Sequence, residues 1–191
     1  AMVYYHTDAW QRYLQSIGLN ANHERQRFNV RDRLFGMEYA NASYNEVTQI
    51  ISLGTANVDM SEDADVFLHE YGHAIHDDVQ GGIGSGQNGG MSEGYGDFYA
   101  CSWFDDVILG DWVSTNPALN AGGPWPNTRR ADNLNHYPED LGNEVHQMGE
   151  VWCGGLWEME LMVGLDTAVT LTVEGMAFQT TATNMPQAAA F

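Results

Sequence analysis

The 191-residue sequence predicts an α+β fold that is mostly helical. Apolar residues recur at the spacing of an amphipathic helix in five segments: 4–17, 66–77, 91–109, 143–163 and 166–191. Two shorter apolar runs, 34–39 and 47–53, have the length of strands. With 43% hydrophobic residues, the chain can bury one sizeable core.

A glycine-rich segment, 81–90, divides these elements. Glycine disfavours both helix and strand, so this segment is predicted to be a flexible loop. It separates a predicted small N-terminal α/β lobe, residues 1–80, from a predicted helical lobe, residues 81–191. Within the second lobe, residues 110–142 are rich in Pro, Asn and Gly with little periodicity, which is typical of a segment that shapes a binding cleft.

The charge of the chain excludes some partners. It has 26 acidic residues against 7 basic ones, all of them Arg, and a net charge of −19. This balance argues against nucleic acid or an anionic membrane as partner, and no apolar run approaches the roughly 20 residues that span a bilayer. We expect the acidic residues to form a solvated surface, with calcium binding as the alternative use of some carboxylates.

Residues 69–73 read His-Glu-Tyr-Gly-His and lie in a predicted helix. Positions i and i+4 share a helix face, so the imidazoles of His69 and His73 can reach one metal ion. Glu70 then lies beside that ion, where it can take a proton from a metal-bound water. The pattern predicts a zinc site, although two histidines on a helix surface are a plainer alternative.

A second segment supports the metal site. After the glycine-rich segment comes Ser-Glu-Gly-Tyr-Gly-Asp, residues 92–97, at the start of a predicted helix. Glu93 can supply a third ligand and leave the fourth position open for water, which is the arrangement of a catalytic zinc site. Asp97 lies one helical turn later and can accept the N–H of a ligand histidine.

His76 is a rival third ligand because it continues the stripe of His69 and His73. Three residues on one straight helix cannot easily close around a single ion, so Glu93 is favoured. We interpret His76 instead as a cation near the end of its helix.

These segments resemble the gluzincin peptidases of the thermolysin superfamily. The resemblance rests on His-Glu-Tyr-Gly-His, nineteen intervening residues and Glu93. A later block, His146-Gln-Met-Gly-Glu150-Val-Trp, is similar to the His-x-x-Gly-Glu-x-Trp block of the fungalysin family, and residues 3–18 resemble the first helix of that family's catalytic domain. The resemblance implies a thermolysin-like zincin catalytic domain in which the two lobes form one catalytic unit.

The resemblance also implies roles for further residues. His146 is expected to donate a hydrogen bond to the oxyanion. Asn41 and Ala42 match the substrate-binding edge strand, where a peptide would pair as an added strand. Arg129 or Arg130, with Arg129 preferred, resembles the arginine that holds a substrate carbonyl. The tyrosine that stabilises the oxyanion in thermolysin has no counterpart in the glycine-rich gap.

Calcium ligands follow the same resemblance less closely. Asp65 matches an aspartate just before the zinc helix, and Asp105 and Asp106 are the other candidate ligands of a possible Ca²⁺ ion. The two cysteines, Cys101 and Cys153, leave two alternatives open: buried free thiols, or a disulfide between neighbouring helices that would fit a secreted protein.

The sequence therefore predicts a secreted, monomeric zinc endopeptidase that hydrolyses peptide bonds of peptide or protein substrates with a metal-activated water. A zinc aminopeptidase is the first alternative, but those enzymes have eighteen residues in the gap and a Gly-x-Met-Glu-Asn motif that this chain lacks. A non-catalytic binding module that keeps a zinc fold is the second alternative.

Overall fold

The computed structural model describes residues 1–21, 26–115 and 129–191, and their fold is α+β with a large helical majority. In the described residues, the α-helices are α1 (Met2–Ser16), α2 (Ala64–Gln80), α3 (Gln87–Phe104), α4 (Asp111–Thr115), α5 (Val145–Val163), α6 (Leu165–Met176) and α7 (Met185–Ala188). A short 3₁₀ helix, Met60–Glu62, precedes α2. None of the helices in these ranges is both long and apolar enough to cross a membrane.

The strands form one small sheet of β1 (Arg27–Asp32), β2 (Ala42–Asn45) and β3 (Ile50–Gly54). The spatial order is β1-β3-β2, with β1 parallel and β2 antiparallel to the central strand. Ala42 pairs with Leu53 and Tyr44 with Ile51. One edge of β2 is therefore free of strand partners within the described sheet.

The strand predictions are partly wrong. Segment 34–39 is a turn, closed by a bridge between Leu34 and Met37, because Phe35 and Gly36 take positive φ angles that a strand does not allow. The run 47–53 becomes a strand only from Ile50. The strand that pairs with it in parallel is β1, which lies outside both predicted strand segments.

The start of helix α2 is determined by its N-cap residue, Asp63. The side chain of Asp63 is buried and accepts hydrogen bonds from the backbone N–H groups of Asp65 and Val66. It also accepts from the N–H of Val113, 3.0 Å away, which ties the start of α2 to α4. At the other end Gly81 adopts φ 83°, a left-handed conformation that suits glycine and stops the helix.

Helix α3 begins earlier than the sequence predicts, at Gln87 inside the glycine-rich segment. The physical reason is packing, since a Cβ atom at Gly90 would collide with Met148 of α5. Tertiary contact between the two helices outweighs the low helix propensity of glycine. Helix α3 contacts both α2 and α5, and side chains such as Trp10, Tyr71, Phe98 and Tyr99 fill the core around them.

Candidate metal centre and cleft

Helices α2 and α3 bring two histidines and a glutamate together. Nε2 of His69 lies 3.3 Å from Oε2 of Glu93, and Nε2 of His73 lies 3.6 Å from Oε1 of the same carboxylate. The ligand atoms of these residues all lie within 4.8 Å of one another. Across the described part of the chain, this is the one group of three or more His, Cys, Asp or Glu side chains compact enough to hold a metal ion.

The residues fit a divalent metal such as zinc. Two imidazole nitrogens and one carboxylate form the donor set of a catalytic zinc site. Oε2 of Glu93 is buried and takes no well-aligned hydrogen bond from the described residues, although it faces nitrogen atoms of His69 and His146. A buried carboxylate oxygen without a hydrogen bond is costly, and a cation in this space removes the cost.

Each histidine of the group is held at its other ring nitrogen. Nδ1 of His69 lies 2.7 Å from Oδ1 of Asp97, and Nδ1 of His73 lies 2.8 Å from Oγ of Ser92. These contacts leave both Nε2 atoms facing Glu93, which is the orientation that metal binding needs. The sequence led us to Asp97 but not to Ser92, although Ser92 directly precedes Glu93 in the quoted motif.

Arg129 lies behind this group. Its guanidinium donates two hydrogen bonds of 2.7 Å to Asp97, and its Nη2 lies 3.3 Å from Nδ1 of His69. Arg130 instead pairs with Asp132, at 2.8 and 2.9 Å, and its side chain is 49% exposed. Of the two arginines named by the sequence, Arg129 is therefore the one that reaches the cleft.

Burial and neighbouring charges set the protonation of the site. Burial raises the pKa of Glu70 to about 7, and burial lowers the pKa of His73 to about 3. Burial opposes ionisation of Asp97 as well, but Arg129 and His69 hold its pKa below the usual value. Burial would lower the pKa of His69, but its contacts with Asp97 and Glu93 raise it to about 10. Glu70 is thus the carboxyl group whose pKa is closest to neutral pH among these residues.

The metal group opens into a cleft of about 910 Å³. Asn41 and Ala42 lie on one wall with β2, and the backbone N–H of Tyr44 contacts Glu70. A second wall is apolar and consists of Met60, Val66, Leu109 and Val113. The first turns of α5 form the third wall with Glu144, His146, Gln147 and Glu150. A cleft of this size accommodates several residues of an extended peptide.

His146 lies at the mouth of the metal group. Its Nε2 is 3.4 Å from Oε2 of Glu93, and its Nδ1 is 2.6 Å from Oε1 of Glu144. The other oxygen of Glu144 caps α5 by accepting from the backbone N–H groups of His146 and Gln147. The sequence analysis did not identify Glu144, and its only signal is a carboxylate two residues before His146.

Several predicted residues lie away from the metal group. Asp65 accepts a hydrogen bond from the backbone of Gly110, and burial raises its pKa to about 7. Asp105 ends α3, and Asp106 accepts from the backbone of Ile108; both are exposed. Among the residues that the structure describes, these aspartates do not form a metal group of the compact kind found at His69, so calcium binding stays a prediction.

The interpretation of His76 as a cation is wrong. Its ring is fully buried, and burial lowers its pKa to about 4, which leaves it neutral. Its Nε2 donates to Oε1 of Gln80 at 2.9 Å, one turn further along α2. Cys101 and Cys153 are both buried and free, in agreement with the free-thiol alternative.

Comparison with known proteins places this site in a family. Residues 48–165 match the model of the fungalysin metallopeptidase family (M36), and this stretch includes His69, His73, Glu93 and His146. Extracellular metalloproteinase 1 of Arthroderma gypseum and extracellular metalloproteinase 5 of Trichophyton rubrum are each 30% identical to this chain over 115 residues. The aligned part is 53% of this chain and 18% of each relative.

Extracellular metalloproteinase 1 of Trichophyton equinum is likewise 30% identical over 115 residues, which is 19% of that protein. The chain thus spans about a fifth of the length of these relatives. The family match nevertheless covers more than half of the chain and confirms the resemblance seen in the sequence. The chain belongs to the fungalysin metallopeptidase family.

Proposed function

We propose that this chain is the catalytic unit of a secreted zinc endopeptidase that hydrolyses internal peptide bonds of peptide or protein substrates. The observation that carries the proposal is the convergence of His69, His73 and Glu93 beside the buried carboxyl group of Glu70, at the base of a peptide-sized cleft. The family match and relatives named extracellular metalloproteinases support both peptidase activity and secretion.

His69, His73 and Glu93 would hold the ion. Zinc at this position supplies Lewis acidity and lowers the pKa of a bound water toward ~7. Asp97 and Ser92 keep the two histidines oriented, and Arg129 keeps Asp97 in place. Residues 1–80 supply both histidines and residues 81–191 supply Glu93, so the proposed lobes act as one unit.

Glu70 is the proposed general base. Its raised pKa, about 7, suits a group that accepts a proton from the attacking water and then delivers it to the leaving amine. His146, at the mouth of the site, donates a hydrogen bond from Nε2 to the oxyanion that forms on the substrate carbonyl. Arg129 lies close enough to the cleft to contact the same substrate carbonyl.

The substrate is proposed to bind along β2. The backbone carbonyl of Asn41 accepts from the N–H of Gly54 in β3, so an extended peptide would pair with the backbone of Ala42 at the free edge and contact Asn41 through its side chain. The apolar wall around Val66 and Leu109 accepts a hydrophobic side chain next to the cleaved bond.

The variant Glu70→Gln tests the assignment of the base. It keeps the shape of the side chain and removes its basicity, so zinc content should equal that of the wild type while casein hydrolysis falls by roughly 10²-fold or more. Metal analysis and a protease assay measure the two quantities. Glu158→Gln, at an exposed position of α5, is the matched control and should keep full activity. Wild-type turnover by Glu70→Gln would contradict the role of Glu70.

Two further assays separate the alternatives. Peptides with blocked amino termini should be cleaved as well as free ones by an endopeptidase, whereas an aminopeptidase requires the free terminus. A protein that binds zinc but shows no chelator-sensitive hydrolysis of any peptide would instead be a binding module.

A further inference from the structure

Glu150 lies in the cleft and has no part in the mechanism above. It belongs to the His-x-x-Gly-Glu-x-Trp block, four residues after His146 on α5. Residues i and i+4 share a helix face, and both side chains line the same cleft. A substrate held at His146 therefore passes within about one helical turn, ~5.4 Å along the axis, of the Glu150 carboxylate.

The cationic side chains near Glu150 are already paired with other carboxylates. Arg129 donates two hydrogen bonds to Asp97, and Arg130 donates two to Asp132. Within the described residues, no Arg or His side chain lies within the 4.0 Å ion-pair distance of Glu150. Its carboxylate accepts a hydrogen bond from the backbone N–H of Arg130.

Glu150 is half-buried, so its charge is only partly solvated. Burial raises its pKa and the nearby charge of Asp97 raises it further, while the charge of Arg129 and the backbone N–H of Arg130 offset only part of this increase. A partly desolvated carboxylate with no cation in direct contact is stabilised when a further cation approaches it. In a substrate cleft, that cation can come from the ligand.

The residues around Glu150 favour a particular shape of cationic side chain in the ligand. The carboxylate of Glu150 accepts from the backbone N–H of Arg130, and the carbonyl of the adjoining Arg129 accepts from the backbone N–H of Leu109, a residue of the apolar wall. A side chain that combines an aliphatic stem with a charged end matches an apolar wall next to a carboxylate. Lysine and arginine have this form.

We propose that Glu150 is a specificity-determining residue that binds the ammonium or guanidinium group of a Lys or Arg side chain in the peptide substrate. The inference rests on the proposed function, because it requires that peptides occupy this cleft. The amino terminus of a peptide carries the same cationic chemistry, so the experiment includes a separate arm for it.

The experiment measures kcat/KM of the zinc-loaded protein for matched peptides with blocked ends. Arginine and citrulline have nearly the same shape, but only arginine is charged. Each is placed in turn at two positions before and two positions after the cleaved bond. At one of these positions the arginine peptide should be preferred by roughly tenfold or more, the usual range for a hydrogen bond to a charged group. Added salt should weaken the preference.

The variant Glu150→Gln should abolish this preference and leave hydrolysis of the citrulline peptide close to the wild-type rate. Glu158→Gln removes one charge from the same helix at an exposed position and should keep the preference. Metal content and the thermal unfolding midpoint report whether each variant is folded. In the separate arm, free amino termini replace blocked ones on the citrulline peptides.

The outcomes separate this inference from the proposed function. Cleavage of both peptides without any preference for arginine in the wild type would overturn the role of Glu150, whether or not the variant folds. A preference that survives in Glu150→Gln would overturn it too, as would a gain seen only with free amino termini. Failure of the wild type to cleave any peptide would overturn the proposed function together with the inference.

Discussion

At the scale of single residues, the site depends on side chains that fix the orientation of its three histidines. Asp97 holds His69, Ser92 holds His73 and Glu144 holds His146, each through the Nδ1 atom of the ring. A histidine with one nitrogen fixed can present only the other nitrogen to the cleft. The three histidines of the site therefore share one device, and their Nε2 atoms converge on Glu93 or its surroundings.

Glu144 allows the orientation of His146 to be tested separately from helix capping. Serine is a good N-cap but is too short to reach the imidazole, so Glu144→Ser should keep α5 intact and free the ring. We expect kcat to fall by roughly tenfold with little change in KM, because the proposed role of His146 is to stabilise the oxyanion rather than the bound substrate. Steady-state kinetics on a neutral peptide measures both constants.

Glu144→Gln is the matched control for that change. Its amide oxygen can still accept a hydrogen bond from Nδ1 of His146, so most of the lost kcat should return. If the serine and glutamine variants have the same kcat, the contact between Glu144 and His146 has no role in turnover. Circular dichroism checks that both variants keep their helix content.

At the scale of helices, glycines set the distances that the metal group needs. A Cβ atom at Gly72 would lie 2.6 Å from the Cα of Gly96, and one at Gly149 would lie 2.6 Å from the Cβ of Glu93. Helix α3 can approach both α2 and α5 this closely only because these positions lack side chains. The approach brings Glu93 to the histidines of α2 and to His146 of α5.

The variant Gly96→Ala should separate α2 from α3 at the metal group. The added methyl would lie 2.6 Å from Nδ1 of His69 and 2.7 Å from its carbonyl oxygen, so the helices must shift. We expect a loss of about 1–3 kcal/mol in the free energy of unfolding, the usual cost of overpacking, and weaker zinc binding. Urea denaturation of the metal-free protein and zinc titration measure the two effects.

Gly155→Ala provides the comparison for this change. Gly155 lies in α5 with no atom within 4 Å of an added Cβ and is exposed. Alanine should therefore raise the free energy of unfolding by about 0.5–1 kcal/mol through helix propensity alone. Equal effects of the two substitutions would mean that the close contact at Gly96 is not needed.

The sheet contains one strand that the sequence did not predict, and it lacks one that the sequence did predict. Strand β1 is mostly exposed and rich in arginine, and its alternation is limited to two apolar residues, Phe28 and Val30, which is too short to indicate a strand. It forms because its backbone pairs with β3, a contact between distant parts of the chain that no local pattern reports. Segment 34–39 was predicted to be a strand because it contains apolar residues. It is a turn in the structure, and its apolar side chains Phe35 and Met37 are 91% and 68% exposed.

At the scale of the whole molecule, the sequence predicted the helical majority and the metal group better than the connections. Helices α1, α2 and α5 followed from apolar periodicity, and His69, His73 and Glu93 followed from ligand chemistry at a fixed spacing. Ser92 and Glu144 did not, because a single hydroxyl or carboxylate has no pattern until the fold brings it to a histidine. The contact between Arg129 and Asp97 behind the metal group also has no local pattern, because it joins residues that are 32 positions apart in the sequence.

A polar network connects the loop between α2 and α3 to the C-terminal segment. Gln80 at the end of α2 exchanges hydrogen bonds with Asn88 of α3, and Asn88 also bonds to the backbone of Gly84 and Thr180. His76 belongs to this network through Gln80. The network fixes the loop between the two ligand-bearing helices against the C-terminal segment, so its integrity concerns the fold as a whole.

The neutral state of His76 makes global stability depend on pH. Its pKa falls from 6.5 to about 4 on folding, so between these values the unfolded chain binds a proton that the folded chain does not. The stabilisation that comes from neutral His76 is complete above about pH 6.5 and decreases as the pH falls. Near pH 4 this loss of stability amounts to roughly 3 kcal/mol. Between about pH 7.5 and about pH 5, urea denaturation should therefore show a loss of stability that is about 2 kcal/mol larger in the wild type than in His76→Gln, because the other buried groups titrate in both proteins. His136→Gln, at a histidine whose side chain is 79% exposed, is the matched control and should lose as much as the wild type. Equal acid losses in the wild type and His76→Gln would show that this buried ring does not couple protonation to folding.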